Sequence, residues 1–356
     1  MVSTTGAQGA AALRADLVFE GGGVKGIGLA GAYRELSERG YTPECVAGTS
    51  AGAITAALVA VGYTGAELEE IVLHQMRFSE FEDPTFLDHF GMPGAMLQFF
   101  VARGMHSGAH FLTWMRERLQ VKGITRFGQL RDEGQAAGGN RTYRLQVIAS
   151  DLSGRQMLVL PRDAAVVGLD PDELEIAEAV RMSMSIPIFF EPVTVRNPKT
   201  GAKHVIVDGG LLSNYPIWVF DCADDAVPEF PTFGMLLVAP VQQAPLLPPP
   251  PSGAEVAPIG SDIDFMKAIG ETMMQAHDRL YVEQANYART IPIPTLGVKT
   301  TQFDIWAEQA AAVFDSGRKA AAQLLDEWDF QAYIRSFRRG ETPGRRETVR
   351  AQLQKR

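Results

Sequence analysis

The sequence predicts an α/β fold in which a parallel sheet carries helices on its faces. The apolar run 16–20 is followed by apolar residues at helical spacing over 29–36. A second apolar run, 44–47, is followed by a helix of small residues at 51–61. Strand and helix patterns that alternate in such quick succession are typical of parallel strands joined by helical crossovers.

Length and composition indicate a globular protein. The 356 residues are 46% hydrophobic and 21% charged, which suffices to bury a core without disulfides. The two cysteines have no metal-binding spacing, so we expect a reducing compartment and a cytoplasmic protein. The chain begins without a basic signal-peptide region, and its longest small-apolar stretch, 51–63, is shorter than the ~20 residues that span a bilayer. The net charge of −9 argues against a nucleic-acid binder.

The chain is expected to form one domain over 15–330, between a flexible leader at 1–14 and a basic tail at 331–356. Thr64 and Glu67 match a capping box at the start of a third helix. Residues 78–119 are rich in Phe and Met and are interpreted as a helical cap, and the proline-dense stretch 243–260 as an exposed loop. Further strands are predicted at 143–149, 156–160, 193–196, 203–207 and 233–238, and helices at 170–182, 265–280 and 304–328.

The end of the tail is strongly basic. Residues 335–356 hold eight basic and two acidic residues, although the whole chain is acidic. Two interpretations stay open, a solvated and partly helical end or a patch that binds the surface of an anionic membrane transiently.

A Gly-x-Ser-x-Gly motif lies between the second strand and its helix. The motif glycines Gly48 and Gly52 permit a turn tight enough to hold the Ser50 oxygen out at the carboxyl edge of the sheet. The amino terminus of the following helix adds partial positive charge where an oxyanion would develop. Ser50 is therefore a candidate nucleophile, and an ordinary serine helix cap is the alternative.

A glycine-rich loop follows the first strand. Such a loop lets backbone N–H groups approach an anion closely. The loop also matches G-x-G-x-x-G, but the second strand lacks the terminal acidic residue that a dinucleotide site requires, and no Gly-Lys-Ser/Thr follows. An oxyanion is therefore the expected ligand, and we expect neither a cofactor nor a metal. The candidate oxyanion-hole residues are Gly21, Gly22, Gly23, Val24, Lys25 and Gly26.

The third candidate site, Asp208 with the motif glycines Gly209 and Gly210, follows the apolar run 205–207. A serine hydroxyl needs an adjacent base. Only His277 follows Asp208, and it lies within a predicted helix; His204 is four residues away along the strand, about 13 Å. The sequence therefore predicts that Asp208 acts directly on Ser50 as a dyad, and an ordinary Asp-Gly turn is the alternative.

These three motifs, in this order, resemble the patatin-like phospholipase family. Weaker matches are the segments 149–154, 179–187 and 214–216, and the likeness covers about 16–238. The segment 179–187 departs from the family's Ala-Ser-x-x-x-Pro block, so the roles of Ser183 and Ser185 stay open.

The resemblance implies a three-layer α/β/α sandwich with a mostly parallel central sheet, and a lipid acyl hydrolase of the phospholipase A type. Ser50 would be the nucleophile that forms an acyl-serine, and Asp208 the general base. The backbone amides of Gly22, Gly23 and Val24 would form the oxyanion hole. The substrate would be a phospholipid or another acyl lipid. The Phe and Met residues of the cap suit long acyl chains, and ordinary core packing is the alternative.

Three rival functions are an acyltransferase that uses the same acyl-serine, a nicotinamide-dependent oxidoreductase, and a non-catalytic protein that binds lipid surfaces. Product analysis, cofactor titration and the absence of turnover would distinguish them.

Overall fold

An eight-stranded sheet forms the centre of the fold, seen in a computed structural model that describes residues 13–76, 106–134, 140–187, 189–222, 227–238, 284–300 and 302–337. The strands are β1 (Leu13–Phe19), β2 (Tyr41–Thr49), β3 (Leu145–Asp151), β4 (Gln156–Leu160), β5 (Val193–Arg196), β6 (Lys203–Asp208), β7 (Thr232–Val238) and β8 (Thr290–Pro294).

Eight α-helices accompany the sheet within the described ranges. They are α1 (Ile27–Glu38), α2 (Ala51–Ala60), α3 (Gly65–Glu70), α4 (Ala109–Val121), α5 (Ile176–Ser183), α6 (Gln284–Tyr287), α7 (Ala307–Glu327) and α8 (Phe330–Phe337). The predicted capping box is confirmed, because Thr64 and Glu67 exchange side-chain and backbone hydrogen bonds at the start of α3.

The strand order is β5-β6-β3-β2-β1-β7-β8, with β4 paired to β3. The centre is parallel, since β1 pairs in parallel with β2 and β7, β2 with β3, and β7 with β8. The predicted α/β fold with a parallel sheet is thus confirmed. The pairings of β3 with β4 and β6, and of β5 with β6, are antiparallel and were not predicted.

Both faces of the sheet are covered at its centre. In β1, Leu17 and Phe19 point into the larger hydrophobic core, which also contains residues of α1, α2 and α7. Val18 points to the opposite face, where it joins a smaller core with Val219 and Phe220. A strand that is buried on both faces is typical of a layered α/β protein.

Strand β3 brings the carboxyl ends of β2 and β6 together. At Ile148, strand β3 pairs with β2 on one side and with β4 on the other. At Ala149, it pairs with β6 on one side and again with β4 on the other. Strands β2 and β6 therefore lie one after the other along the side of β3 opposite β4. Parallel β2 ends at Thr49 opposite Ile148, and antiparallel β6 ends at Asp208 opposite Ala149. The residues after Thr49 therefore meet the end of β6.

Several predicted boundaries need correction. β1 begins at Leu13, within the expected leader, and α8 extends past residue 330 with Tyr333 and Ile334 buried, so the folded part reaches into the expected tail. The predicted helix at 170–182 begins only at Ile176, because Asp170 closes a side-chain turn with the N–H groups of residues 172 and 173.

Two further differences concern the cap and the last strand. Of the predicted cap 78–119 the structure describes only 106–119, where α4 is helical and Phe111 and Met115 pack into the larger core. Strand β8 has no counterpart among the predicted strands. It contains two prolines, which it tolerates because it lies at the edge of the described sheet. Residues 1–12, 78–105, the proline-rich loop 243–260, the predicted helix 265–280 and the tail from 338 lie outside the described residues.

None of the helices within the described ranges combines the length and the hydropathy that a membrane crossing requires.

Candidate active site

Ser50 occupies the turn between β2 and α2, as the motif predicts. Its φ of 54° and ψ of −124° lie in a region that residues other than glycine rarely adopt. Such backbone strain costs on the order of 1–3 kcal/mol and clusters at functional sites. Ser50 is only 2% exposed, so its hydroxyl lies at a strained and almost fully buried position.

The two motif glycines allow backbone segments to touch at this turn. A Cβ atom on Gly48 would lie 2.2 Å from the Gly52 carbonyl oxygen, and one on Gly52 would lie 2.2 Å from the Phe19 carbonyl oxygen. Any larger residue would push α2 away from the sheet. The glycines therefore set how closely the Ser50 turn approaches the end of β1.

Ser183, the last residue of α5, holds the turn in place. Its Oγ accepts a hydrogen bond from the Ser50 N–H at 2.9 Å and donates one to the Ile148 carbonyl at 2.6 Å. The next serine, Ser185, contacts the end of β6, because its backbone carbonyl accepts the Asp208 N–H at 2.9 Å. Ser183 and Ser185, whose roles the sequence left open, therefore connect the end of α5 to the backbones of both candidate catalytic residues.

Replacing Ser183 by alanine is expected to lower the stability by about 1–3 kcal/mol, because the buried Ser50 N–H loses its acceptor. Turnover of an ester substrate is expected to fall about tenfold as the strained turn relaxes. Urea denaturation and steady-state kinetics measure the two effects.

The control Ser316→Ala removes a similar hydrogen bond, from Ser316 Oγ to the Pro294 carbonyl at 2.7 Å, beside the edge strand β8. It should lower stability without changing kcat, and an unchanged kcat in Ser183→Ala would contradict the positioning role.

Asp208 lies next to Ser50 and is fully buried. Its Oδ1 accepts the Gly210 N–H at 2.7 Å, whereas Oδ2 is buried without a hydrogen-bond partner of normal geometry. Burial raises the pKa of Asp208 to about 7, although hydrogen bonding from the Ser50 hydroxyl and the Gly210 N–H lowers it. Gly209 permits this placement, because a Cβ there would lie 2.2 Å from the Ile148 carbonyl oxygen.

Within the described ranges, no histidine hydrogen-bonds to Ser50 or Asp208. His204 lies on β6 as predicted, and its Nδ1 is 2.8 Å from Oδ2 of a different carboxylate, that of Asp151. His277 lies outside the described residues. The same ranges contain no cluster of His, Cys, Asp and Glu residues arranged to hold a metal ion.

The glycine loop lies beside Ser50, but not all of its amides are free. The Gly21 N–H donates to the Asn214 carbonyl and the Val24 N–H to the Thr300 carbonyl, both at 3.0 Å. These two amides are therefore committed elsewhere, which corrects the prediction that the Val24 amide belongs to the oxyanion hole. The N–H groups of Gly22 and Gly23 donate to no described residue.

The rest of the loop folds into a short 3₁₀ helix, Gly23–Gly26, whose i→i+3 pattern uses the later amides of the loop, including those of Lys25 and Gly26. Gly23 has a φ of +56°, and the Thr300 carbonyl oxygen would lie 2.0 Å from a Cβ atom there, so only glycine fits. The Lys25 side chain is partly buried and lies alongside Gly22. Gly22 and Gly23 are thus the two amides of the loop available to an oxyanion.

A family model described as patatin-like phospholipase matches residues 17–221, which is more than half of the chain and includes the glycine loop, Ser50 and Asp208. This chain belongs to the patatin-like phospholipase family. The membership supports a lipase or phospholipase activity, that is, an ester hydrolase.

Two relatives illustrate the similarity of this patatin-like protein to curated sequences. It is 36% identical to the uncharacterized protein YqhO of Bacillus subtilis (strain 168) over 320 residues, covering 88% of this chain and 99% of YqhO. It is 27% identical over 321 residues to the uncharacterized NTE family protein Rv2565 of Mycobacterium tuberculosis, covering 87% of this chain and 46% of Rv2565. This patatin-like chain therefore spans less than half of the mycobacterial protein.

Two solved structures are similar to this patatin-like protein at low sequence identity. VipD from Legionella pneumophila aligns with a TM-score of 0.48 and 19% identity, covering 88% of this chain and 66% of VipD. ExoU from Pseudomonas aeruginosa, solved in complex with SpcU, aligns with a TM-score of 0.47 and 17% identity, covering 89% of this chain and 52% of ExoU.

Proposed function

We propose that this protein hydrolyses fatty acyl esters of phospholipids through an acyl-enzyme intermediate on Ser50. The observation that carries the proposal is a serine at a strained, buried turn beside a buried carboxylate, Asp208, whose Oδ2 has no other hydrogen-bond donor among the described residues. A serine needs a base to become a nucleophile, and Asp208 is the base that lies beside it.

In the first step, Ser50 Oγ attacks the ester carbonyl carbon while Asp208 Oδ2 takes the hydroxyl proton. The carbonyl oxygen becomes an oxyanion, which the N–H groups of Gly22 and Gly23 stabilise. When the tetrahedral intermediate collapses, the bond to the alcohol breaks and the leaving oxygen takes the proton from Asp208. An acyl-serine and a lysolipid or alcohol result. Such backbone donors commonly contribute about 3 kcal/mol each to transition-state stabilisation.

Burial makes Asp208 a better base than an exposed aspartate would be. An ordinary aspartate has a pKa near 3.9 and holds a proton weakly. Desolvation raises the pKa of Asp208 to about 7, close to the pH at which general-base catalysis works best near neutrality. A direct Ser-Asp dyad is therefore chemically competent without a histidine.

The proposal is tested by incubating the protein with a panel of phospholipids and neutral lipids and identifying the released fatty acids by mass spectrometry. We expect fatty acid release from phospholipids, and none above background with Ser50→Ala. Release by Ser50→Ala at the wild-type rate would contradict the proposal. Release only from neutral lipids would contradict the substrate class, and transfer of the acyl chain to an added lipid acceptor instead of water would identify an acyltransferase.

A further inference from the structure

Asn214 connects the glycine loop to the segment that follows Asp208. It is 7% exposed. Its carbonyl accepts the Gly21 N–H at 3.0 Å, and its side-chain Nδ2 donates to the Gly21 carbonyl at 3.0 Å and to Glu20 Oε1 at 3.1 Å. Asn214 therefore holds Gly21 by both of its backbone polar groups.

These contacts determine the orientation of the Asn214 side-chain amide. Two acceptors, the Gly21 carbonyl and the Glu20 carboxylate, face one end of the amide, so that end must be the NH₂ group. The other end is the oxygen Oδ1, which is buried and has no hydrogen-bond partner among the described residues. A buried acceptor without a donor costs about 1–3 kcal/mol.

The unpartnered Asn214 oxygen lies beside the nucleophile. A Cβ atom on Gly21 would be 2.2 Å from Asn214 Oδ1 and 3.2 Å from Ser50 Cβ. The Asn214 oxygen and the Ser50 side chain therefore both lie next to the Cα atom of Gly21. The preceding residue also contacts this turn, because Thr49 Oγ1 donates to the Ser213 carbonyl at 3.0 Å. The segment 213–214 is thus anchored to both the glycine loop and the nucleophile turn.

Two buried acceptors near Ser50 therefore need a donor in the acyl-enzyme. Asn214 Oδ1 has none among the described residues, and Asp208 Oδ2 loses the neighbouring Ser50 hydroxyl when Ser50 is acylated. A water molecule has two O–H groups and needs two acceptors to be held in one orientation. During acylation the Ser50 hydroxyl supplies a proton to Asp208, but nothing in that step supplies one to Asn214. Deacylation is the step in which a second donor enters the site.

We propose that Asn214 is a further catalytic residue, which together with Asp208 binds and orients the water that hydrolyses acyl-Ser50. This inference rests on the proposed function. The water oxygen attacks the acyl carbonyl carbon, one proton passes to Asp208 Oδ2, and the other O–H stays hydrogen-bonded to Asn214 Oδ1. The bond from the acyl carbon to Ser50 Oγ then breaks, Ser50 Oγ takes the proton from Asp208, and the fatty acid leaves.

Methanol provides the test, because it has a single O–H group and needs only Asp208 as its acceptor. In aqueous methanol the acyl-enzyme yields both free fatty acid and its methyl ester, and mass spectrometry gives their ratio. The ratio depends neither on the amount of folded enzyme nor on the rate of acylation. Asn214→Leu keeps the side-chain volume and lacks the acceptor, so the ester-to-acid ratio should rise about tenfold, the effect of one lost transition-state hydrogen bond.

A neighbouring variant separates this role from a purely structural one. Thr49→Val removes the hydrogen bond to Ser213 that anchors the same segment but keeps the Asn214 side chain, so it should retain the wild-type ratio even if it turns over more slowly. An unchanged ratio in Asn214→Leu, or an equal rise in Thr49→Val, would overturn the proposal. If Asn214→Leu does not fold, Asn214→Ala is measured in its place. Wild type that forms neither product, or Ser50→Ala that forms both, would show instead that the proposed function is wrong.

Discussion

Asp208→Asn is expected to lower the hydrolysis of a phospholipid or ester substrate by about 10³-fold, because general-base catalysis supplies factors of this size. Asparagine has nearly the same shape and keeps an oxygen that can accept the Gly210 N–H, so the geometry at the end of β6 is retained. What is lost is the oxygen that takes the Ser50 proton. Single-turnover measurements of acylation report this loss directly.

The pH dependence of the wild type should identify the same group. With the pKa of Asp208 raised to about 7 by burial, kcat/KM is expected to fall tenfold per pH unit below about pH 7. Near-normal turnover in Asp208→Asn, or an acidic limb that persists in this variant, would rule out the dyad. A loss of activity in His277→Ala alone would favour a conventional triad instead.

The same substitution is expected to stabilise the fold. The pKa of Asp208 rises from 3.8 to about 7 on folding, so between these values the folded state binds more protons than the unfolded state, and stability falls as the pH rises. Above about pH 7 the penalty is constant, on the order of 4 kcal/mol. Asp208→Asn removes it, so the gain over wild type should grow from pH 4 to pH 7 and then level off.

Urea denaturation at several pH values measures this gain. The control Asp326→Asn changes an exposed carboxylate that pairs with Arg39, and its small effect should not grow over this pH range. A gain that does not vary with pH would show that Asp208 is not held at a raised pKa in the folded state.

Gly52→Ala is expected to lower the stability by at least about 3 kcal/mol, or to prevent folding. The added Cβ would lie 2.2 Å from the Phe19 carbonyl oxygen and 2.5 Å from that of Glu20. Both obstacles are main chain at the end of β1, so no side chain can rotate away. The first turn of α2 would have to leave the sheet and take Ser50 with it.

Gly62→Ala, just beyond the other end of α2, is the matched control. Gly62 has a φ of +94° but no atom within 4 Å of an added Cβ, so only the backbone strain of about 1–2 kcal/mol is expected. Thermal denaturation compares the two variants. If Gly52→Ala were no less stable than Gly62→Ala, the close approach of α2 to β1 would not limit the fold.

Much of the fold was predictable because its signals are local. The alternation of apolar runs with helical spacing predicted the parallel centre, and Thr64 with Glu67 predicted a helix start that the structure confirms. Each of these signals depends on residues within a few positions of one another. β8 and the late start of α5 could not be predicted this way, since edge position and a side-chain turn outweighed the local pattern.

The same distinction between local and long-range signals applies to the candidate site. The sequence by itself identified the candidate side chains, because Gly48 and Gly52 indicate a tight turn around Ser50 and the positions of the histidines left Asp208 as the proposed base. Only the tertiary structure decided that β2 and β6 end against neighbouring residues of β3, that Ser183 binds the Ser50 N–H, and that the Gly21 and Val24 amides bind other carbonyls. These facts follow from strand register and from hydrogen bonds between residues more than a hundred positions apart, which no local pattern encodes.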